Sequence, residues 1–130
     1  MNKGNNPIPE NPIFGYACHK FIFDENKKPV DFEFLEINQT FEKLTGLKRE
    51  NLIGRKVLEA IPEVEKGEFD WIRIYGKIAL DGGEDEFEHY FELSGKWCRV
   101  HVCSTDKLTF TATFIDITKS KKQVEELEAF

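Results

Sequence analysis

The chain has few cysteines, no long apolar run and no block of basic residues, and each shortage removes a class of protein. Its three cysteines, Cys18, Cys98 and Cys103, form neither a CxxC pair nor an even disulfide framework. Nothing resembling a secretory leader precedes them, so a reducing cytoplasm is the expected compartment. The apolar runs last only a few residues, far short of the roughly 20 needed to cross a bilayer, and a soluble chain with no membrane segment is expected. Lysine plus arginine number 18 against 24 aspartates plus glutamates, a net charge of −6. With no basic stripe to track a phosphate backbone, nucleic acid is not an expected partner. There is no GxSxG motif, no Gly-rich phosphate loop and no paired-carboxylate signature, and the many glutamates alternate outward as solvating residues. No catalytic residue is assigned, and the domain itself is not expected to be an enzyme.

Phenylalanine, by contrast, is abundant: 12 of 130 residues, most at regular apolar positions. That suits an aromatic core or the lining of a cavity, in a chain of the size of one compact domain. Residues 1–14, "MNKGNNPIPENPIF", carry three prolines and four asparagines and are expected to form an extended lead-in. "GYACHKFIFD" and "VDFEFLEIN" read as two strands joined through the polar "ENKKP" turn, a hairpin. In "NQTFEKLTG" the period changes: Asn38 can cap a short helix, Phe41 and Leu44 share its inner face, and Gly46 suits a left-handed exit. "RENLIG" and "KVLEAIP" predict two further single-turn pieces.

The best helical pattern is "FDWIRIYGKIALDGG", where Trp71, Ile74, Tyr75 and Ile78 recur at i, i+3, i+4 and i+7. Gly76 in its middle costs about 1 kcal/mol relative to alanine, which predicts a close approach by backbone or ligand. The period then returns to two. "EFEHYFEL" sets Phe87, His89, Phe91 and Leu93 on one face, "WCRVHVCS" sets Cys98, Val100 and Val102 inward, and "LTFTATFID" does the same with Phe110, Ala112 and Phe114. Two strands, several short helices, one longer helix, a three-stranded meander and a terminal helix make an α+β domain with one antiparallel sheet covered on one face.

In that order the chain resembles the PAS family. The resemblance is carried by the hairpin leading into "NQTFEKLTG", the "LIGRKVLEAIP" segment, the strand meander, and "DIT" (Asp116, Ile117, Thr118) passing into a charged helix; it spans Gly15 to Phe130. It implies a PAS fold: a five-stranded antiparallel sheet in the order 2-1-5-4-3, short helices over one face enclosing a small cavity, and a C-terminal signalling helix. Residues 15–118 would be the sensor domain and 119–130 the start of the helix or linker. It also implies a sensory and dimerisation module of a signal-transduction protein, joined to a histidine kinase, a diguanylate cyclase or another output domain. Two alternatives stand beside it: a ligand-free interaction or dimerisation module, and a cone-shaped α+β binding protein or enzyme of the NTF2-like kind. The second would need a polar catalytic pair inside a deep pocket, whereas His89 is the one polar residue expected among inward positions that are otherwise almost wholly apolar.

The cofactor is left open. A flavin site of the LOV type would need a cysteine near "GRKVLEA", where Arg55, Lys56 and Val57 stand. A haem version would be expected to carry a histidine on the long helix, which has none. A thioester-linked chromophore would need a cysteine in the helical region, and all three cysteines fall in strands. The pair His101-x-Cys103 shares a strand face, but Cys98 points the other way and no carboxylate is expected to complete a metal set.

Among the candidate ligand contacts, His89 reads either as a core histidine satisfied by a carbonyl or water, or as a polar anchor for a small molecule. Trp71 and Tyr75 read either as an ordinary amphipathic helix face or as a cavity wall. Phe41, Phe91 and Phe110 complete the aromatic set that would line the cavity the resemblance implies. Cys18 and His19 are adjacent, so a strand sends them to opposite faces and no dyad forms between them.

The terminal helix carries Lys119, Lys121 and Lys122 near its start and Glu125, Glu126 and Glu128 near its end, opposite to the dipole's preference. At about 12 residues it is marginal alone. Ile117, Val124 and Leu127 fall at a, a and d of a heptad. It is expected either to fold back on the domain or to begin a parallel coiled coil between two copies, with Val124 and Leu127 in the seam. The resemblance makes Asp116 and Thr118 the relay that ties it to the last strand. Outward Tyr90, Trp97 and Ile115 would add an apolar patch for the homodimer or the lead-in.

Overall fold

Alternation of apolar and polar residues turns five stretches into strands, and one antiparallel sheet collects them. The computed structural model describes residues 10–61, 71–104, 106 and 108–128. β1 (Gly15–Phe23) and β2 (Pro29–Ile37) form the first hairpin. Helices α1 (Gln39–Thr45), α2 (Arg49–Leu52), α3 (Val57–Ala60) and α4 (Trp71–Asp81) follow, then β3 (Gly83–Phe91), β4 (Lys96–Ser104), β5 (Thr109–Asp116) and α5 (Thr118–Glu128). The strand order is 2-1-5-4-3, as expected. Most of the lead-in, residues 1–9, lies outside the described residues, as do Phe69 and Asp70 at the start of the long helical pattern.

Strand parity is as the alternation predicts for β4 and β5, and β1 buries alternate residues in the same way. Ala17, His19 and Phe21, then Cys98, Val100 and Val102, then Phe110, Ala112 and Phe114 are buried on one face. In β2 the phase slips. His19 pairs with Phe34 and Cys18 with Glu36, so Leu35 is the extra residue of a bulge. Phe32 and Phe34 point inward before it, Ile37 after it, and Leu35 itself is exposed; the bulge lets a strand with the wrong spacing keep three apolar residues inside.

Asn38 caps α1 as expected: its side-chain oxygen accepts from the Phe41 N–H at 3.0 Å. The same oxygen accepts from the Tyr16 N–H at 2.9 Å, and the amide nitrogen donates to the Phe14 carbonyl at 3.1 Å. One buried amide thus ties the start of α1 to the start of β1. Gly46 ends α1 at φ 81°, the left-handed conformation its exit requires.

Gly76 makes the close approach its position predicts. A Cβ there would stand 2.7 Å from the Pro29 Cγ and 3.2 Å from a Phe21 ring carbon, so α4 crosses the sheet with its backbone against the start of β2. Leu93 departs from expectation. β3 ends at Phe91, and Leu93 sits in the following turn, 74% exposed, because the strand alternation stops two residues earlier than the sequence pattern.

Candidate functional site

Of the six aromatic and histidine candidates, three stand on helices α1 and α4 and three on strands β3 and β5, and ring contacts connect them. Trp71, at the first turn of α4, meets Tyr75 at 5.2 Å and His89 at 4.9 Å between centroids. His89 meets Phe91 at 4.7 Å, and Tyr75 meets Phe110 at 4.9 Å. Phe41 and Phe91 are joined through Phe114, at 5.1 and 5.9 Å. These are the spacings of packed rings, each pair adding about 0.5–1.5 kcal/mol beyond its area burial. Tyr75, Phe41 and Phe110 are buried, whereas Trp71, His89 and Phe91 are half-buried. Burial and the Asp85 carboxylate push the Tyr75 phenol well above its ordinary value. Burial alone lowers His89, which favours the neutral imidazole.

The interior holds a second histidine, one that adjacency to Cys18 put on the opposite face from that thiol without saying which face was inward, so the expectation of His89 as the one inward polar residue is corrected. His19 is 3% exposed and is stacked on Phe110 at 4.2 Å, with Phe32 and Phe34 at 5.1 and 4.9 Å. Its Nδ1 lies 3.3 Å from the Phe110 carbonyl. Desolvation drives its pKa down to about 3, against the weaker opposing pull of that carbonyl. Its ring neighbours and those of His89 have no member in common among the described residues. The signal in the sequence was the position itself, between Ala17 and Phe21 on the inward parity of β1.

At the opposite surface the junction of β5 with α5 is bonded residue by residue. Asp116 Oδ1 accepts from the Thr118 N–H at 2.8 Å, and Thr118 Oγ1 accepts from the Trp97 N–H at 2.9 Å. The Ile117 N–H donates to the Trp97 carbonyl at 2.9 Å, and Lys96 Nζ stands 3.5 Å from Asp116 Oδ2. Partial burial opposes ionisation of Asp116, but the Thr118 donors and the Lys96 charge outweigh it and hold the carboxyl below its ordinary value. Both backbone groups of Trp97 are therefore spent on this hinge, and the sequence pattern, which gave Trp97 only to an outward patch, could not show that.

Ile117 is 8% exposed and belongs to the domain, so it is not the first residue of a seam; the hydrogen bond that fixes its N–H also turns its side chain inward. Val124 and Leu127, by contrast, are 53% and 73% exposed, and no residue of α5 is buried. Lys121 sits over the Trp97 ring at 4.7 Å and pairs with Glu88 of β3. In the outward patch, Tyr90 is exposed and lies 5.6 Å from Trp97, while Trp97 and Ile115 are half-buried.

Two of the thiols, Cys98 and Cys18, are poor nucleophiles. Burial, helped by the Asp116 charge, pushes Cys98 up to about 12, and burial also raises Cys18. A carboxylate approaches His101, since Glu84 Oε1 lies 2.8 Å from its Nε2; the pairing of β3 with β4 brings it there. Even so, no group of three or more metal-ligating side chains is arranged to hold an ion among the described residues. No described helix is long and apolar enough to cross a membrane. Compared with known proteins, the chain matches no family model and no curated protein.

Proposed function

We propose that the chain is a PAS sensory and dimerisation module of a signal-transduction protein, relaying the state of its interior through α5 to an output domain such as a histidine kinase or diguanylate cyclase. What carries the reading is the hinge: a helix held at its first turn by Asp116, Thr118 and Trp97, whose apolar residues Val124 and Leu127 then face solvent. A helix that leaves its own domain with an apolar stripe gains stability when a second copy covers the stripe. The sheet order 2-1-5-4-3 and the short helices over one face are what the PAS resemblance implies, and they support the same reading. The stimulus would be a small ligand or a partner that favours one arrangement of the interior over another.

The close ring spacing around Phe110, Tyr75 and His19 favours a second reading, a dimerisation module with no ligand. Sedimentation equilibrium and native mass spectrometry separate these. A concentration-dependent dimer is expected, weakened at least about tenfold by Val124→Glu with Leu127→Glu. A chain that stays monomeric, or a dimer indifferent to both substitutions, would remove α5 from the mechanism. A small molecule retained in the native mass spectrum selects the sensory reading, and its consistent absence selects the second.

A further inference from the structure

Among the described residues β3 is an edge strand with one hydrogen-bonded neighbour, β4, and its two faces touch the two regions described above. Inward, Phe87 and His89 lie against Trp71 at 5.3 and 4.9 Å, and Phe87 lies 5.9 Å from Tyr75. Outward and between them, Glu88 pairs with Lys121 of α5 and with Arg99, its cross-strand partner, at 3.4 Å. Lys121 is at the same time seated over the ring of Trp97, the residue whose backbone holds the hinge.

We infer that Glu88 and Lys121 form a latch through which β3 couples the Trp71–His89 cluster to the direction of α5; this rests on the reading of α5 as the output helix. A shift of β3 that follows a change at Trp71 or His89 carries Glu88 with it, because adjacent residues of one strand point to opposite faces of the same backbone. A strand with a single ladder moves more readily than one with two. Among the described residues, releasing Lys121 leaves α5 bonded to the domain through Asp116, Ile117 and Thr118. The latch also accounts for a lysine at the electropositive start of a helix: the Glu88 carboxylate and the Trp97 ring face offset the dipole's repulsion. Lys121 and, to a lesser extent, Arg99 hold the Glu88 carboxyl below its ordinary value.

Amide hydrogen exchange of α5, followed by NMR on a dilute sample of the full chain, tests this. Glu88→Gln and Lys121→Gln are each expected to speed exchange at Lys121 to Glu125 by about threefold to fivefold, with β4 and β5 unchanged. His89→Ala is expected to speed the same amides in the parent chain and to add nothing in Glu88→Gln. Should His89→Ala loosen the whole domain, seen in the β1 and β5 amides, Trp71→Phe replaces it with the same expectation. The latch is overturned if neither Glu88→Gln nor Lys121→Gln alters α5, or if the His89 or Trp71 effect persists in full without Glu88. Association measured on the same samples keeps the two claims apart. A chain that dimerises through Val124 and Leu127 while α5 ignores Glu88 loses the latch and keeps the output helix; coupling without association does the reverse.

Discussion

His19 lies on β1, inside the sheet, and His89 lies on β3, at its edge; both point inward among aromatic rings, yet only one is sealed. His19 has strands on both sides and a stacked Phe110, whereas His89 is half-buried against Trp71 and Phe91. The same residue type therefore costs stability in one half of the molecule and leaves a polar, partly accessible group in the other. The closed half holds the fold, and rearrangement of the looser half costs less.

The largest expected difference is in packing. Phe110→Ala removes a ring that His19, Phe21, Phe32 and Tyr75 all touch, and a loss of about 3–5 kcal/mol is expected in urea denaturation. Phe91→Ala, half-buried on β3, is expected to lose clearly less. Equal losses would mean that the two halves are equally closed.

The next is in pH. His19 titrates near 3 folded and near 6.5 unfolded, so below 6.5 the unfolded chain binds the extra proton and stability falls with acidification until about pH 3. Between pH 7.5 and 5 the loss from this residue is about 2 kcal/mol. His19→Leu should flatten the dependence in that window, while His89→Leu, whose shift has the same direction through burial alone, should flatten it less. An unchanged slope in His19→Leu would show that the imidazole is not sealed.

The smallest effect tests the contact that closes the first half. Gly76→Ala gains about 1 kcal/mol of helix propensity but drives a methyl into Pro29, and a net loss of about 1–2 kcal/mol is expected in the same denaturation assay. Net stabilisation would show that α4 stands farther from β2.

Much of the fold was legible in the sequence, because strand parity, the Asn38 cap and the Gly46 exit depend on residues a few positions apart. Gly76 was legible too, as an anomaly in a good helix. The bulge at Leu35 was not, since it is fixed by pairing with β1 and not by any local pattern. Leu93 kept the alternation for two residues after the strand ended, so the period alone put it on the wrong side of a turn. Ile117 fitted a heptad and the domain equally well, and the hydrogen bond to Trp97 decided. Of the site, the aromatic contacts among Trp71, Tyr75 and His89 followed from helix and strand faces. The weight carried by His19, Trp97, Lys121 and Glu88 arises from partners about 10 to 90 positions away, which no window on the sequence contains.

Serine, threonine and aspartate replace asparagine freely at most helix starts, because one acceptor is all an ordinary cap supplies. Asn38 also donates, to Phe14, from the same buried group that accepts from Tyr16 and Phe41. A hydroxyl is too short to serve both chain segments, and a carboxylate would set negative oxygen against a carbonyl. The position thus forbids the exchanges that are conservative elsewhere, and a change of one atom there, as in deamidation, would turn the bond to Phe14 into a repulsion without altering the side chain's shape, leaving the tie between β1 and α1 to the bonds from Tyr16 and Phe41.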